Sequence, residues 1–200
     1  MSEEGFTVVV AVNDLKVLQR NLLLSPSIKN DDIQLIIKRD CISASLAYNE
    51  AIEEADNEII IFVHQDVYFP ETWFSGLEKS LSYLEKESIS WGVLGCFGSR
   101  PGGAGGIGRV CTNGMGCHGN EIDRPELVQT LDEIVLVIRK SSGLRFDPTL
   151  PHFHLYGTDI CMSAKDMGLM SYAIPAFCVH NTNQLVNLPK EFYNCYRHVK

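Results

Sequence analysis

Several things are missing from this 200-residue chain. No apolar run approaches the roughly 20 residues that a membrane-spanning helix needs, so no span is expected. No basic cluster is present and the formal net charge is −8, which argues against nucleic acid or an anionic membrane surface as a partner. A phosphate-bearing substrate then requires local cations or a metal to offset the field. The opening MSEEGFTVVV lacks a basic region followed by a long apolar stretch, so it is not read as a signal peptide. There is no CxxC, and the seven cysteines are an odd number. A disulfide scaffold or zinc ribbon is therefore not expected, and Cys111, Cys117 and His118 lack zinc-ligand spacing. A reducing, cytoplasmic setting is the expectation. With no repeat and no evident linker, one domain over residues 1–200 is expected.

What is present centres on Glu58–Pro70, EIIIFVHQDVYFP. Ile59–Val63 is apolar and largely β-branched, the pattern of a strand buried on both faces of a sheet. It stops at His64, Gln65 and Asp66. Polar groups at the carboxyl end of a central strand stand where open α/β sheets bind ligands. Asp66, when ionised, offers only acceptor oxygens, which suits a hard divalent cation. The competing reading is that Asp66 caps a turn or the next helix.

The first third alternates strand and helix. Phe6–Val12 predicts a buried strand ending at Asn13-Asp14, and Leu15–Leu24 a short helix broken by Ser25-Pro26-Ser27. Ile33–Ile37 predicts a second buried strand, ending in Lys38-Arg39-Asp40. Ser43–Ala55 predicts a helix with Leu46, Ile52 and Ala55 near one face. This order argues for a parallel sheet with right-handed crossovers. It would gather Asn13, Asp40 and Asp66 along one edge, although Asn and Asp also favour turns for their own reasons.

Glu71–Glu87 carries Trp73, Leu77, Leu81 and Leu84 at helical spacing, read as core, and Trp91–Phe97 predicts a fourth buried strand. Gly98–Asn120 is glycine-rich. Its Gly103–Gly108 matches GxGxxG by letters only, because it neither follows a strand directly nor opens a helix. It reads as a mobile loop over the substrate edge or as a plain surface insertion. Arg100 and Arg109 are phosphate contacts or solvated surface. Asp132–Lys140 predicts a strand, with Leu144–Phe146 returning beside it as a hairpin after Ser141-Ser142-Gly143. Thr158 or Asp159 reads as a helix start, Gly168 as its stop, with Ile160, Met162, Ala164 and Met167 as apolar surface. Ser171–Val179, broken by Pro175, reads as an extended stretch at a sheet edge. Pro189–His198 reads as a terminal helix.

The ordered set LAYNEAIEEADNEIIIF, FVHQDVYFP, HLYGTDICMSAKDMGL and a strand ending in His180 resembles the family 2 glycosyltransferases of GT-A fold. Within them it is most similar to the glycosyltransferase-like domain named after a streptomycin-biosynthesis protein. The resemblance spans roughly Phe6–Asn183. It implies an α/β, Rossmann-type sandwich with a mostly parallel central sheet, helices on both faces and a small antiparallel acceptor-side extension. The nucleotide-binding half would run over about 6–97 and the acceptor half over about 98–183.

The resemblance further implies a glycosyltransferase, inverting and dependent on Mn²⁺ or Mg²⁺. The donor would be a nucleotide sugar, first of all a UDP-sugar, and the acceptor a sugar, lipid or protein. Asp66 and His180 would be metal ligands and Asp159 the catalytic base. Asn13, Asp40, Gln65 and Asp66 would contact the nucleotide, and His154 and Tyr156 would line the acceptor side. The chain departs from the family pattern in three places. His64-Gln65-Asp66 lacks the first carboxylate of the Asp-X-Asp motif, Thr158-Asp159 stands for Glu-Asp, and Lys38-Arg39-Asp40-Cys41 replaces Asp-Asp-Gly-Ser. The alternatives are a weak or inactive nucleotide- or glycan-binding module, or a nucleotidyltransferase.

Overall fold

The computed structural model describes residues 5–29, 32–103, 105–113, 115–182 and 187–199. Met1–Glu4, Ala104 and Gly114 of the glycine-rich stretch, and Asn183 at the end of the expected span lie outside the described residues.

The first three strands, β1 (Phe6–Val12), β2 (Ile33–Arg39) and β3 (Ile59–His64), pair in parallel in the order β2-β1-β3. Alternation along them divides the core. Val8, Val10, Val12, Ile61 and Val63 face helix α1 (Leu15–Arg20) and helix α3 (Trp73–Lys86). Val9, Ile60 and Phe62 face helix α2 (Ala44–Glu54) and helix α4 (Tyr156–Asp166). Burying each of these aliphatic side chains contributes about 1.5–3 kcal/mol relative to leaving it exposed. The sheet continues through β11 (Val135–Arg139), β5 (Trp91–Gly95), β12 (Met170–Ala173) and β9 (Glu126–Val128). Of these, β11 and β9 run against the rest. The result is a mostly parallel sheet with helices on both faces, as expected.

A second sheet has the order β10-β6-β7-β13-β4, with β8 paired to β7. Its strands are β4 (Val67–Tyr68), β6 (Phe97–Ser99), β7 (Gly106–Thr112), β8 (Gly116–Asn120), β10 (Thr130–Leu131) and β13 (Cys178–His180). Helix α5 (Lys190–Val199) closes the chain and buries Cys195.

Several expectations are corrected. The glycine-rich stretch is three strands rather than a loop. Its glycines make room for sheet packing: a Cβ on Gly108 would fall 2.1 Å from Cys96 O, and one on Gly119 would fall 2.8 Å from the Phe97 ring. The β7–β8 hairpin carries a Cys111–Cys117 disulfide, because antiparallel pairing puts these residues directly opposite each other. β2 is only partly buried because it forms the sheet edge. Leu46 is 40% exposed, since α2 packs through Ala47, Tyr48, Ala51 and Ile52. Met162 and Met167 are likewise exposed, while Ile160 and Ala164 are buried.

Trp91–Phe97 divides at Cys96 between the two sheets, and Ser171–Val179 becomes β12 and β13, each inside a sheet rather than at its edge. Pro175 lies between them, where no ladder bond is needed. Leu15–Leu24 is α1 followed by a 3₁₀ turn, and α3 begins at Trp73 after β4. Leu144–Phe146 forms no strand, although Leu144 and Phe146 are buried. α4 starts at Tyr156, ahead of Thr158, after Leu155 at φ 63°.

Candidate active site

The carboxyl ends of β1, β2 and β3 open into a cleft of about 290 Å³ lined by Asn13, Asp40, Tyr48, His64, Gln65 and Asp66, together with Phe153 and Tyr156. That is at the small end of the range for ligand pockets. A second hollow of about 580 Å³ shares Asn13, Gln65 and Asp66 with it and is lined by Lys16, Arg20 and Asn181. Cations therefore stand beside the acidic site of an acidic chain.

Asp14 begins α1, its carboxylate accepting from the Lys16 N–H at 2.8 Å. Its neighbour Asn13 is held by Gln65, whose Oε1 accepts from the Asn13 and Asp14 N–H groups at 3.2 and 3.1 Å. The Gln65 amide also donates to Asn13 Oδ1. Gln65 thus ties the end of β1 to the end of β3. Ser43 caps α2 by accepting from the Leu46 N–H, which fixes the turn carrying Asp40. Backbone strain gathers here: of the four described non-glycine residues at positive φ, Asp40 lines the cleft and His152 and Leu155 flank Phe153 and His154. Such conformations cost about 1–3 kcal/mol each and cluster at functional sites.

His64 and Asp66, which line the cleft, and His180 beside them each offer a ligand atom, all within 4.8 Å of one another. His180 Nε2 lies 3.3 Å from Asp66 Oδ1 and His64 Nδ1 lies 4.0 Å from it. Their side chains are 14, 20 and 29% exposed for His180, Asp66 and His64, open to a ligand yet partly shielded from water. The pairing of β4 with β13 brings His180 opposite Val67, and the Asn181 N–H donates to Asp66 O at 2.8 Å. Burial opposes charge on Asp66, but the hydrogen bond and charge of His180 outweigh it and hold the carboxyl below its ordinary range. Burial pushes the His64 imidazole down, favouring its neutral, ligand-competent form. Two imidazoles and one carboxylate suit a borderline divalent transition ion.

Asp66 and His180 are therefore brought together, with Asn13, Asp40 and Gln65 around the same cleft. Asp159 stands elsewhere: it is in the first turn of α4 and is not among the residues lining the cleft. Burial raises its carboxyl above the ordinary range, with Asp147 and His198 as its charged neighbours. Its Oδ2 is buried with no hydrogen-bond partner. His154 Nδ1 lies 3.8 Å from Glu133 Oε1, and its ring packs edge-on against Phe192 at 5.9 Å. The Tyr156 hydroxyl donates to Glu133 O at 3.0 Å and meets His64 Nε2 at 2.8 Å. Sequence reasoning passed over His64 as a ligand. The available signal was that the residue standing for the first carboxylate is itself a metal-binding type.

The layering and the position of the cleft define the GT-A fold, and known structures agree. The chain matches S. aureus TarS 1–349 in complex with UDP-GlcNAc at 14% identity and TM-score 0.59, over 98% of this chain and 65% of that one. It matches GalNAc-T7 with UDP, GalNAc and Mn²⁺ at 9% identity and TM-score 0.66, over 98% of this chain and 47% of that one. Both are GT-A glycosyltransferases. Among curated proteins, the ATP synthase subunits region ORF 6 of Fuscovulum blasticum is 26% identical over 144 residues, which is 70% of this chain and 57% of that protein. The chain thus spans less than two thirds of each of these proteins. No family model matches. Among the described residues, no helix is long and apolar enough to cross a membrane.

Proposed function

We propose that this protein is a divalent-metal-dependent, inverting glycosyltransferase that takes its sugar from a nucleotide-sugar donor, a UDP-sugar first. The carrying observation is the meeting of His180 with His64 and Asp66, two residues that line the same cleft as Asn13 and Asp40. The GT-A fold and the UDP and Mn²⁺ of the GalNAc-T7 complex support the reading.

His64, Asp66 and His180 would hold the ion, which when bound supplies Lewis-acid stabilisation of a leaving diphosphate. Mn²⁺ fits this donor set, with Mg²⁺ the other candidate. Asn13 and Asp40 would contact base and ribose, with Gln65 fixing Asn13 in place. Lys16 and Arg20 would draw the anionic donor toward the cleft. Asp159 would take the proton from the acceptor hydroxyl as that oxygen attacks the anomeric carbon. A general base in that role typically contributes ~10²–10⁴-fold. Asp159 lies outside the lined cleft with Oδ2 buried, so the role requires α4 to open that carboxylate to the acceptor. Attack opposite the departing diphosphate inverts the anomeric centre. His154, beside Phe153, would face an acceptor of sugar, lipid or protein chemistry. In this reading one domain comprises both the nucleotide half and the acceptor half.

The test is incubation with a panel of UDP- and GDP-sugars in the presence of Mn²⁺, reading release of nucleoside diphosphate. The expected result is release with one donor class, abolished in Asp66→Asn. Binding of nucleotides without release from any donor contradicts the proposal.

A further inference from the structure

We propose that Tyr156 is a positioning residue that locks His64 into the tautomer presenting Nδ1 to an ion, and that this imidazole, standing in place of a carboxylate, makes the site select transition ions against Mg²⁺. The inference rests on the metal-dependent reading of the cleft and concerns only how the ion is chosen.

The argument begins with one proton. A tyrosine hydroxyl carries a single hydrogen. The Tyr156 hydroxyl has three hydrogen-bond neighbours, Glu133 O at 3.0 Å, His64 Nε2 and the Tyr48 hydroxyl. Of these only the carbonyl can do nothing but accept, so we assign the hydrogen to it and Tyr48 becomes a donor. The same hydroxyl is 2.8 Å from His64 Nε2, and in that contact it acts as the acceptor. Nε2 of His64 therefore carries the ring proton, and in the neutral imidazole Nδ1 carries the lone pair.

Nδ1 faces Asp66 Oδ1 across 4.0 Å, too far for a hydrogen bond. A lone pair and a carboxylate oxygen, both acceptors, look at each other, and a cation between them satisfies both. His180 Nε2, 3.3 Å from the same oxygen, completes a set of two nitrogens and one carboxylate.

The lock is built into the backbone. Gly157 leaves no room for a Cβ, which would sit 3.1 Å from Glu133 Cα and 2.9 Å from Leu131 O. Only so close an approach of α4 to this segment lets the Tyr156 hydroxyl reach Glu133 O. Tyr156 is itself 1% exposed, so no water competes for its hydroxyl. Outer partners that fix a ligand histidine are typically worth 10–100-fold in metal affinity.

The donor set decides the selectivity. Mg²⁺ is held through one or two carboxylates and retained waters. Imidazole suits transition ions. Replacing a carboxylate by His64 removes a negative charge and a hard oxygen, which weakens Mg²⁺ more than Mn²⁺ or Co²⁺.

The test uses calorimetric titration of Mn²⁺, Co²⁺ and Mg²⁺ into the full chain, together with the visible absorption of the Co²⁺ form. Wild type should bind Mn²⁺ and Co²⁺ at least ~10-fold tighter than Mg²⁺. Tyr156→Phe should weaken Mn²⁺ and Co²⁺ by ~10–100-fold and shift the Co²⁺ spectrum. His64→Asp, which needs no buried tyrosine to be altered, should narrow the Mn²⁺-to-Mg²⁺ ratio by raising Mg²⁺ affinity. Equal Mn²⁺ and Mg²⁺ affinity in wild type, an unchanged ratio in His64→Asp, or unaltered Co²⁺ binding in a folded Tyr156→Phe would overturn the inference. The expected metal pattern without release from any sugar nucleotide defeats the transfer reading alone. Release that ignores His64 and Tyr156 defeats this inference alone.

Discussion

His180 Nε2 lies 3.3 Å from Asp66 Oδ1, although the two residues come from opposite parts of the chain. The contact is imposed by the backbone: β13 runs antiparallel to β4, and the Asn181 N–H reaches Asp66 O. Asp66→Asn should therefore leave the fold intact while removing the one carboxylate of the ligand set. We expect the Mn²⁺-induced rise in melting temperature to vanish and activity to fall by at least ~10²-fold, as for loss of charge stabilisation at a reacting centre. Thermal melts with and without Mn²⁺ measure it.

Asp159→Asn separates stability from activity. The folded protein raises this carboxyl through burial, so ionising it near neutral pH opposes folding. An amide should thus leave the melting temperature unchanged or higher, while transfer falls ~10²–10⁴-fold if Asp159 takes the acceptor proton. Equal turnover in the variant assigns the proton to another group.

Gln65→Ala removes the tie between β1 and β3. Two backbone N–H groups and the Asn13 side chain lose their partner. Because the site is partly exposed, water replaces some of this, and a loss of about 1 kcal/mol is expected. Asn13 is then free to turn, so the KM for donor should rise more than kcat falls.

The Asp147–His198 pair fastens α5, with His198 Nε2 2.9 Å from Asp147 Oδ2. The bond from His198, followed by that from Thr149, holds the Asp147 carboxyl below its ordinary range. For a depressed acid, the stabilisation is present above the unfolded value of about 3.9 and is lost as pH falls through the lower folded value. Hydrogen exchange along α5 should accelerate in that acid window, and Asp147→Asn should abolish the change.

Reducing Cys111–Cys117 opens the β7–β8 hairpin, whose strand β7 pairs with β13 at Thr112 and His180. Closure of so short a loop contributes about 2 kcal/mol at most. A dithiol should lower the melting temperature by a few degrees in the wild type and not in Cys111→Ser/Cys117→Ser.

The nucleotide half was legible because its signals are local. Ile59–Val63 and Phe6–Val12 are β-branched runs that only a doubly covered strand can bury, and their ends had to gather Asn13, Asp40 and Asp66. The acceptor half was less so. Glycine reads as loop when counted, yet Gly108 and Gly119 are there because Cys96 O and the Phe97 ring leave no space for a side chain. The disulfide depends on a hairpin register that spacing alone does not show. His64 became visible as a ligand only when the structure set it beside Asp66, with Tyr156 occupying its other nitrogen. The start of α4 at Tyr156 was hidden because Leu155, at positive φ, carries no capping side chain.

The most direct measurement is a crystal structure with Mn²⁺ and UDP, located by the anomalous signal of manganese. The account predicts the ion in contact with Asp66 and both imidazoles, the diphosphate on its open side, and the base reaching toward Asn13 and Asp40. Manganese bound away from Asp66, or a nucleotide seated outside this cleft, would contradict it.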